Sequence, residues 1–181
     1  IYMGMGDWVK TEEYISQALK LADEFKNNYE GSRARGNMAI LFAVQEKFDL
    51  SEEWFKKDLE FDRKLGDLMS VSKNYNNLGR LYEMQHKHSK ALEFYQRGLE
   101  IAKKIDDKAS IAMGYQNVGH IQGKLGKFKD AISNYKIGME MTTALGNRDV
   151  LRDGLLNISE LYEAQENYKK ALEYHHKYHL L

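Results

Sequence analysis

The 181-residue chain contains no proline, where an average usage of about 5% would supply roughly nine. Proline breaks helix interiors, so its absence favours long uninterrupted helices. There is no cysteine, which excludes disulfides, thiol nucleophiles and thiolate metal sites without deciding the compartment. Net charge is missing too: 27 Lys plus Arg balance 27 Asp plus Glu, so neither nucleic acid nor an anionic membrane surface is an expected partner. The longest apolar run, Met38 to Val44, has seven residues, far short of the roughly 20 that a membrane-spanning helix needs. A cytoplasmic location is the expectation, with the periplasm left open. What is present is a 43% hydrophobic, 30% charged composition, sufficient for a buried core.

The sequence repeats itself. Asn77-Leu78-Gly79-Arg80-Leu81-Tyr82 recurs as Asn117-Val118-Gly119-His120-Ile121-Gln122 and as Asn157-Ile158-Ser159-Glu160-Leu161-Tyr162, each 40 residues on, and Asn37-Met38-Ala39-Ile40-Leu41-Phe42 precedes them by the same step. A second block holds the same offset: Ala91-Leu92-Glu93-Phe94-Tyr95, Ala131-Ile132-Ser133-Asn134-Tyr135 and Ala171-Leu172-Glu173-Tyr174-His175, with Ser51-Glu52-Glu53-Trp54-Phe55 as a diverged copy. Phe25, Leu65, Ile105 and Leu145 form another column, as do Trp8, Phe48, Phe128 and Tyr168, interrupted by His88. A repeat of this length marks a solenoid or an array.

Within one period, Tyr75, Leu78, Gly79 and Tyr82 fall at i, i+3, i+4 and i+7, and Ala91, Leu92, Tyr95, Leu99 and Ala102 follow a similar rhythm. Each period therefore reads as two amphipathic helices. The expected helices are 8–26, 32–45, 48–66, 70–85, 88–105, 110–125, 128–145, 150–165 and 168–181. Grouped in pairs, they give a partial repeat over 1–27, repeats over about 32–67, 72–107 and 112–147, and a truncated one over 152–181. The small columns Ala39, Gly79, Gly119, Ser159 and Ser51, Ala91, Ala131, Ala171 are where paired helices can approach closely.

Tyr75, Leu78, Gly79, Tyr82, Ala91 and Tyr95, with Gly98 after them, resemble the tetratricopeptide-repeat pattern. The resemblance covers essentially the whole chain and implies an all-α, right-handed superhelical solenoid of antiparallel helix pairs. The period is 40 rather than 34, and Lys103 stands where the family's proline would fall; the added residues are expected to lengthen both helices. Such arrays are binding scaffolds, so the resemblance implies a non-enzymatic protein- or peptide-binding role. The segment from Asn157 to Tyr178 resembles the closing repeat of arrays in bacterial signalling proteins, where a helical linker leads to an output domain, which implies an input module. Ile1-Tyr2 aligns with Leu41-Phe42, so the ends read as those of a piece of a longer protein. Tyr2, Trp8, Leu172, Tyr178 and Leu181 are then expected to expose apolar surface, and assembly through the solenoid ends into homo-oligomers is the alternative function.

The chemistry-bearing motifs read as structural. Gly4-Met5-Gly6 and Gly123-Lys124-Leu125-Gly126-Lys127 lack the strand context and the terminal Lys-Ser or Lys-Thr of a phosphate loop and read as turns. His175 and His179 stand at i, i+4, a spacing able to chelate a metal, but no third ligand is evident, so no metal and no cofactor are expected. The carboxylates of Glu52-Glu53 and Asp106-Asp107 read as a solvated face and a turn. No nucleophile–base arrangement suggests catalysis.

In tetratricopeptide arrays the first helix of each pair lines the concave groove, and the residue before the Leu-Gly pair points into it. Here that column is asparagine in every copy: Asn37, Asn77, Asn117 and Asn157. An amide donates and accepts, so a ladder of amides can clamp an extended peptide backbone; the alternative is that these asparagines brace neighbouring helices. Arg33, Lys73, Arg80, His120 and Lys124 add basic character over the first three complete repeats, while Asp153, Glu160 and Glu163 make the last acidic. This gradient would favour an acidic segment toward the start and a basic one toward the end. Repeats that grip the carboxylate tail of heat-shock chaperones carry lysine in the column held here by Gly36, Asn76, Gln116 and Leu156, so that partner is not expected.

Overall fold

The computed structural model describes residues 7–146 and 148–180. They form α-helices and short connections with no strand: α1 (Trp8–Glu24), α2 (Asn28–Val44), α3 (Phe48–Leu65), α4 (Leu68–Met84), α5 (His88–Lys104), α6 (Lys108–Lys124), α7 (Phe128–Ala144), α8 (Arg148–Glu163) and α9 (Tyr168–His179). The even-numbered helices are the first of each pair. They begin two to four residues earlier than expected, and side chains in the connections cap α2, α4 and α6. Asn27 accepts from the Glu30 backbone N–H, Asp67 from Ser70 and Asp107 from Ser110. Asp107, read as part of a break, therefore starts a helix.

Every helix up to α8 ends in the same way. Lys26, Glu46, Gly66, His86, Asp106, Gly126, Gly146 and Glu166, spaced 20 residues apart, all have positive φ of 51° to 74°, the left-handed residue that terminates a helix and reverses the chain. Glycine occupies three of the eight positions; elsewhere a side chain is held in that conformation.

Adjacent helices pack antiparallel in chain order, and α2, α4, α6 and α8 also touch one another across repeats. Among the described residues the second helices never do so. The first helices are thus the more closely spaced row, which makes their outward side the inner, concave face of the solenoid. The core runs between the rows: Phe55, Val71, Tyr75 and Leu78, then Tyr95, Leu99, Val118 and Ile121, then Tyr135, Ile158 and Tyr162 are all buried. The small column does what its spacing implied. A methyl group on Gly79 would meet the Tyr95 ring at 2.7 Å, and one on Gly119 the Ala131 carbonyl oxygen at 3.0 Å.

The terminal aromatics depart in part from expectation. Trp8 is half-buried against Met38, Leu41 and Phe42, and Tyr178 is half-buried with its hydroxyl accepting from Arg152 Nη2 at 3.2 Å. Leu172 is exposed as expected. Tyr2, Leu181, the Gly4-Met5-Gly6 turn and Asn147 lie outside the described residues.

Candidate groove on the inner face

The asparagine column lies at the edge between core and inner face, and all four members are half-buried. Their amides have different employment. Asn37 and Asn77 make no hydrogen bond among the described residues and face each other across a notch of about 210 Å³ between α2 and α4, rimmed also by Tyr29, Arg33, Ile40 and Lys73. Asn117 Nδ2 reaches Asn76 Oδ1 at 3.5 Å, bracing α6 against α4. Asn157 donates to the Asp153 carbonyl of its own helix at 2.8 Å. A second notch of about 190 Å³ opens between α6 and α8 beside His120, Lys124, Asn157 and Glu160.

The basic residues also divide. Lys73, Arg80 and Lys124 are exposed and make no hydrogen bond or ion pair among the described residues. Arg33 is exposed but pairs with Glu30 at 3.3 Å. His120 is a brace: Nε2 lies 3.0 Å from Glu83 Oε1 and Nδ1 3.3 Å from the Tyr135 hydroxyl, while Tyr95 donates to Glu83 Oε2 at 2.9 Å. This chain ties α4, α5, α6 and α7 together. The His120 hydrogen bond holds the Glu83 carboxyl below its usual range, and burial followed by the Glu83 charge pushes the Tyr95 phenol up.

Beneath the α2–α4 notch lies a polar cluster that sequence reading passed over. Arg35 Nε donates to Asp58 Oδ1 at 2.9 Å. Asn74 Nδ2 donates to Asp58 Oδ2 at 3.0 Å and to Asp62 Oδ2 at 2.8 Å, and Ser32 Oγ reaches the same two oxygens at 3.3 and 3.4 Å. Asp58 and Asp62 are only 2% and 1% exposed, and of these two buried carboxylates only Asp58 is paired with the guanidinium. Burial, then the Asp58 charge, pushes the Asp62 carboxyl up to about 6.

The signal was present as broken columns. Arg35 stands in the Tyr75 and Tyr115 column, Asp58 in the Gly98 and Gly138 column, Asp62 in the Ala102 column and Asn74 in the Ala34 and Gly114 column. Each departure is costly alone, and together they satisfy one another. The volume is exchanged as well. Asn76 crowds Gly98, and Gln116 crowds Gly138, at the distances a methyl group would occupy. In the preceding repeat the glycine, Gly36, is on the first helix and the side chain, Asp58, on the second.

A family model described as tetratricopeptide repeat matches residues 32–104, the stretch that holds α2 to α5, and the 40-residue recurrence carries the same pattern through the rest of the chain. The chain has the fold of a tetratricopeptide-repeat array. No curated protein sequence matches it. Among solved structures, BtubC from P. vanneervenii is similar at 20% identity and a TM-score of 0.83, over 96% of this chain and 72% of that one. A signal-transduction ATPase with numerous domains and a tetratricopeptide-repeat sensor, from Pyrococcus horikoshii, is similar at 23% identity and a TM-score of 0.80, over 92% of this chain. A Rap protein complexed with competence and sporulation factor is similar at 15% identity and a TM-score of 0.69, over 94% of this chain. The array spans 26% of the ATPase and 58% of the Rap protein. At these identities the likeness is one of fold. The fold is that of a protein-interaction scaffold, and among the described residues no helix is long and apolar enough to cross a membrane.

Proposed function

We propose that the array is a non-catalytic scaffold whose inner face holds an extended peptide or partner segment, and that it serves as the sensory or interaction part of a larger signalling protein. One observation carries the reading: Asn37 and Asn77 face one notch with both amides uncommitted, although half-buried amides ordinarily find partners. A peptide backbone lying along α2 and α4 would supply them. That a sensor array and a peptide-factor complex occur among the similar folds agrees with this reading, as does the resemblance of the last repeat to those that precede output domains.

The test is selection of binders from a displayed library of random 12-residue peptides, followed by affinity and melting measurements on the Asn37→Ala/Asn77→Ala variant. Stability should stay within about 1 kcal/mol, as for surface changes generally. Affinity for a selected peptide should fall by about 1 to 3 kcal/mol for each partner group left unsatisfied. A variant that melts early yet binds normally when folded would end the clamp reading.

Assembly through the solenoid ends is the second reading, and the α1 end favours it. Ile15 is half-exposed and Ala18 exposed, whereas Phe55, Tyr95 and Tyr135 in the Ile15 column are at most 4% exposed. With Tyr14 and Ala34 these residues line a cavity of about 500 Å³. Elsewhere the same columns are covered by the first helix of their own repeat. Concentration-dependent sedimentation tests the idea, and a strict monomer at about millimolar concentration, weaker than any specific association, would count against it.

A further inference from the structure

The exposed charges of the array fall into two populations. On α3, α5 and α9 several are laced into i, i+4 pairs: Glu52 with Lys56, Glu53 with Lys57, Glu93 with Arg97 and Glu173 with Lys177, at 2.5 to 2.7 Å. On the inner face Arg33 pairs with Glu30, but others are unpaired, basic on α4 and α6 and acidic on α8, meeting at the notch that Lys124 and Glu160 share. Lys73, Arg80 and Lys124 of α4 and α6 have no ion-pair partner among the described residues, and neither have Asp153 and Glu160 of α8. Asp149 and Asp153 place like charges at i, i+4, an arrangement that weakens a helix by itself; Arg152 beside them hydrogen-bonds Tyr178 and feels the charge of both. A merely solvated face has no need to order its signs along the array in this way.

Apolar surface has its own place on this face. Tyr29 is 70% and Ile40 37% exposed at the rim of the α2–α4 notch. The carboxylate on the floor of that notch, Asp58, is already engaged by Arg35, Asn74 and Ser32. The notch therefore offers apolar contact and free amides, and its volume suits a single side chain.

We infer that the inner face selects a partner segment by charge order: an apolar anchor at the α2–α4 notch, acidic residues beside it over Lys73, Arg80 and Lys124, and basic residues at the far end over Asp153 and Glu160. This deepens the proposed peptide-binding reading and rests on it. Four first helices at roughly 10 Å spacing make the track about 30 Å long, which about nine extended residues span. Complementary fields of this kind steer encounter and reject segments of the wrong order.

The experiment is the library selection run in parallel on the wild-type array and on an Arg80→Glu/Lys124→Glu/Asp153→Lys/Glu160→Lys variant. All four positions are on the inner face, and the net charge of the chain is unchanged. Wild-type binders should carry acidic residues next to an apolar anchor and basic residues away from it; the variant should select the reverse order. A wild-type binder should lose roughly tenfold in affinity on the variant, and the difference should vanish near 1 M salt, where the screening length is about 3 Å. If the variant loses its helical circular dichroism, the Arg80→Gln/Lys124→Gln pair replaces it, and the acidic enrichment should then disappear. Binders with no charge order, or with the same order on both proteins, would overturn this inference and leave the groove reading standing. If no wild-type binder is lost on Asn37→Ala/Asn77→Ala, the groove reading fails and this inference with it.

Discussion

Asn74 Nδ2 donates to Asp62 Oδ2 at 2.8 Å while holding Asp58 Oδ2 at 3.0 Å, so one amide on α4 joins two carboxylates a helical turn apart on α3. The carboxylates are not equivalent, because only Asp58 has the Arg35 guanidinium. They should respond to neutralisation with opposite signs. Asp62→Asn is expected to stabilise the array at pH 8 by up to about 2 kcal/mol, since it removes the uncompensated buried charge. Asp58→Asn should destabilise it by about 3 kcal/mol by stranding Arg35. Chemical denaturation of the two variants measures both, and equal signs would refute the assignment.

The same cluster fixes a pH dependence. The Asp62 carboxyl is raised in the fold from an ordinary 3.8 to about 6. The native state therefore binds a proton that the unfolded chain has released, and this contribution is fully present below about 4 and lost as pH rises through 6. Melting temperature should decline across that window in the wild type and run flatter in Asp62→Asn. Glu83 acts in the other direction: its pKa is lowered, so its contribution is present above the ordinary glutamate range and lost as pH falls through its lowered value. Glu83→Gln should thus cost stability at pH 7, and the cost should shrink as pH falls below the ordinary glutamate range.

Two substitutions between glycine and other residues have predictable and opposite outcomes. Gly79→Ala drives a methyl group into the Tyr95 ring at 2.7 to 2.9 Å. The cost of overpacking, about 1 to 3 kcal/mol, should exceed the roughly 1 kcal/mol gained in helix propensity. Glu46→Gly relieves a side chain held at φ 59° and should stabilise by about 1 kcal/mol. Thermal melts suffice for both.

Excision of one period should leave a folded, shorter solenoid, since each repeat contacts only its neighbours. The point of excision matters. Removing residues 72–111 puts Gly114 where Asn74 stood and leaves Asp58 and Asp62 without their amide, whereas removing 77–116, also 40 residues, keeps Asn74 in place. The second deletion should be the more stable by about 1 to 3 kcal/mol, the cost of an unmade buried hydrogen bond. Equal midpoints in denaturant would show that Asn74 does not serve the pair.

Much of this was legible in the residues. The 40-residue recurrence of Asn-Leu-Gly-x2-Tyr blocks determines helix pairs, their order and the small contacts at Gly79 and Gly119, because helical periodicity and side-chain volume are local properties. Helices start earlier than the periodicity places them because Asn27, Asp67 and Asp107, loop residues by type, cap backbone N–H groups. The asparagine column was equally visible, but which amides remain free was not. Asn117 has Asn76 of α4 within hydrogen-bond reach and Asn157 turns back onto Asp153 of its own helix, whereas Asn37 and Asn77 do neither. Arg35, Asp58, Asp62 and Asn74 appear as isolated breaks in separate columns, and only the packing of α2, α3 and α4 links them through hydrogen bonds of 2.8 to 3.0 Å. The sequence alone thus determined the repeating architecture, since a period is written along one dimension. The tertiary structure decided which polar groups are spent on the fold and which are left to face a partner, since that depends on distances between residues far apart in the chain.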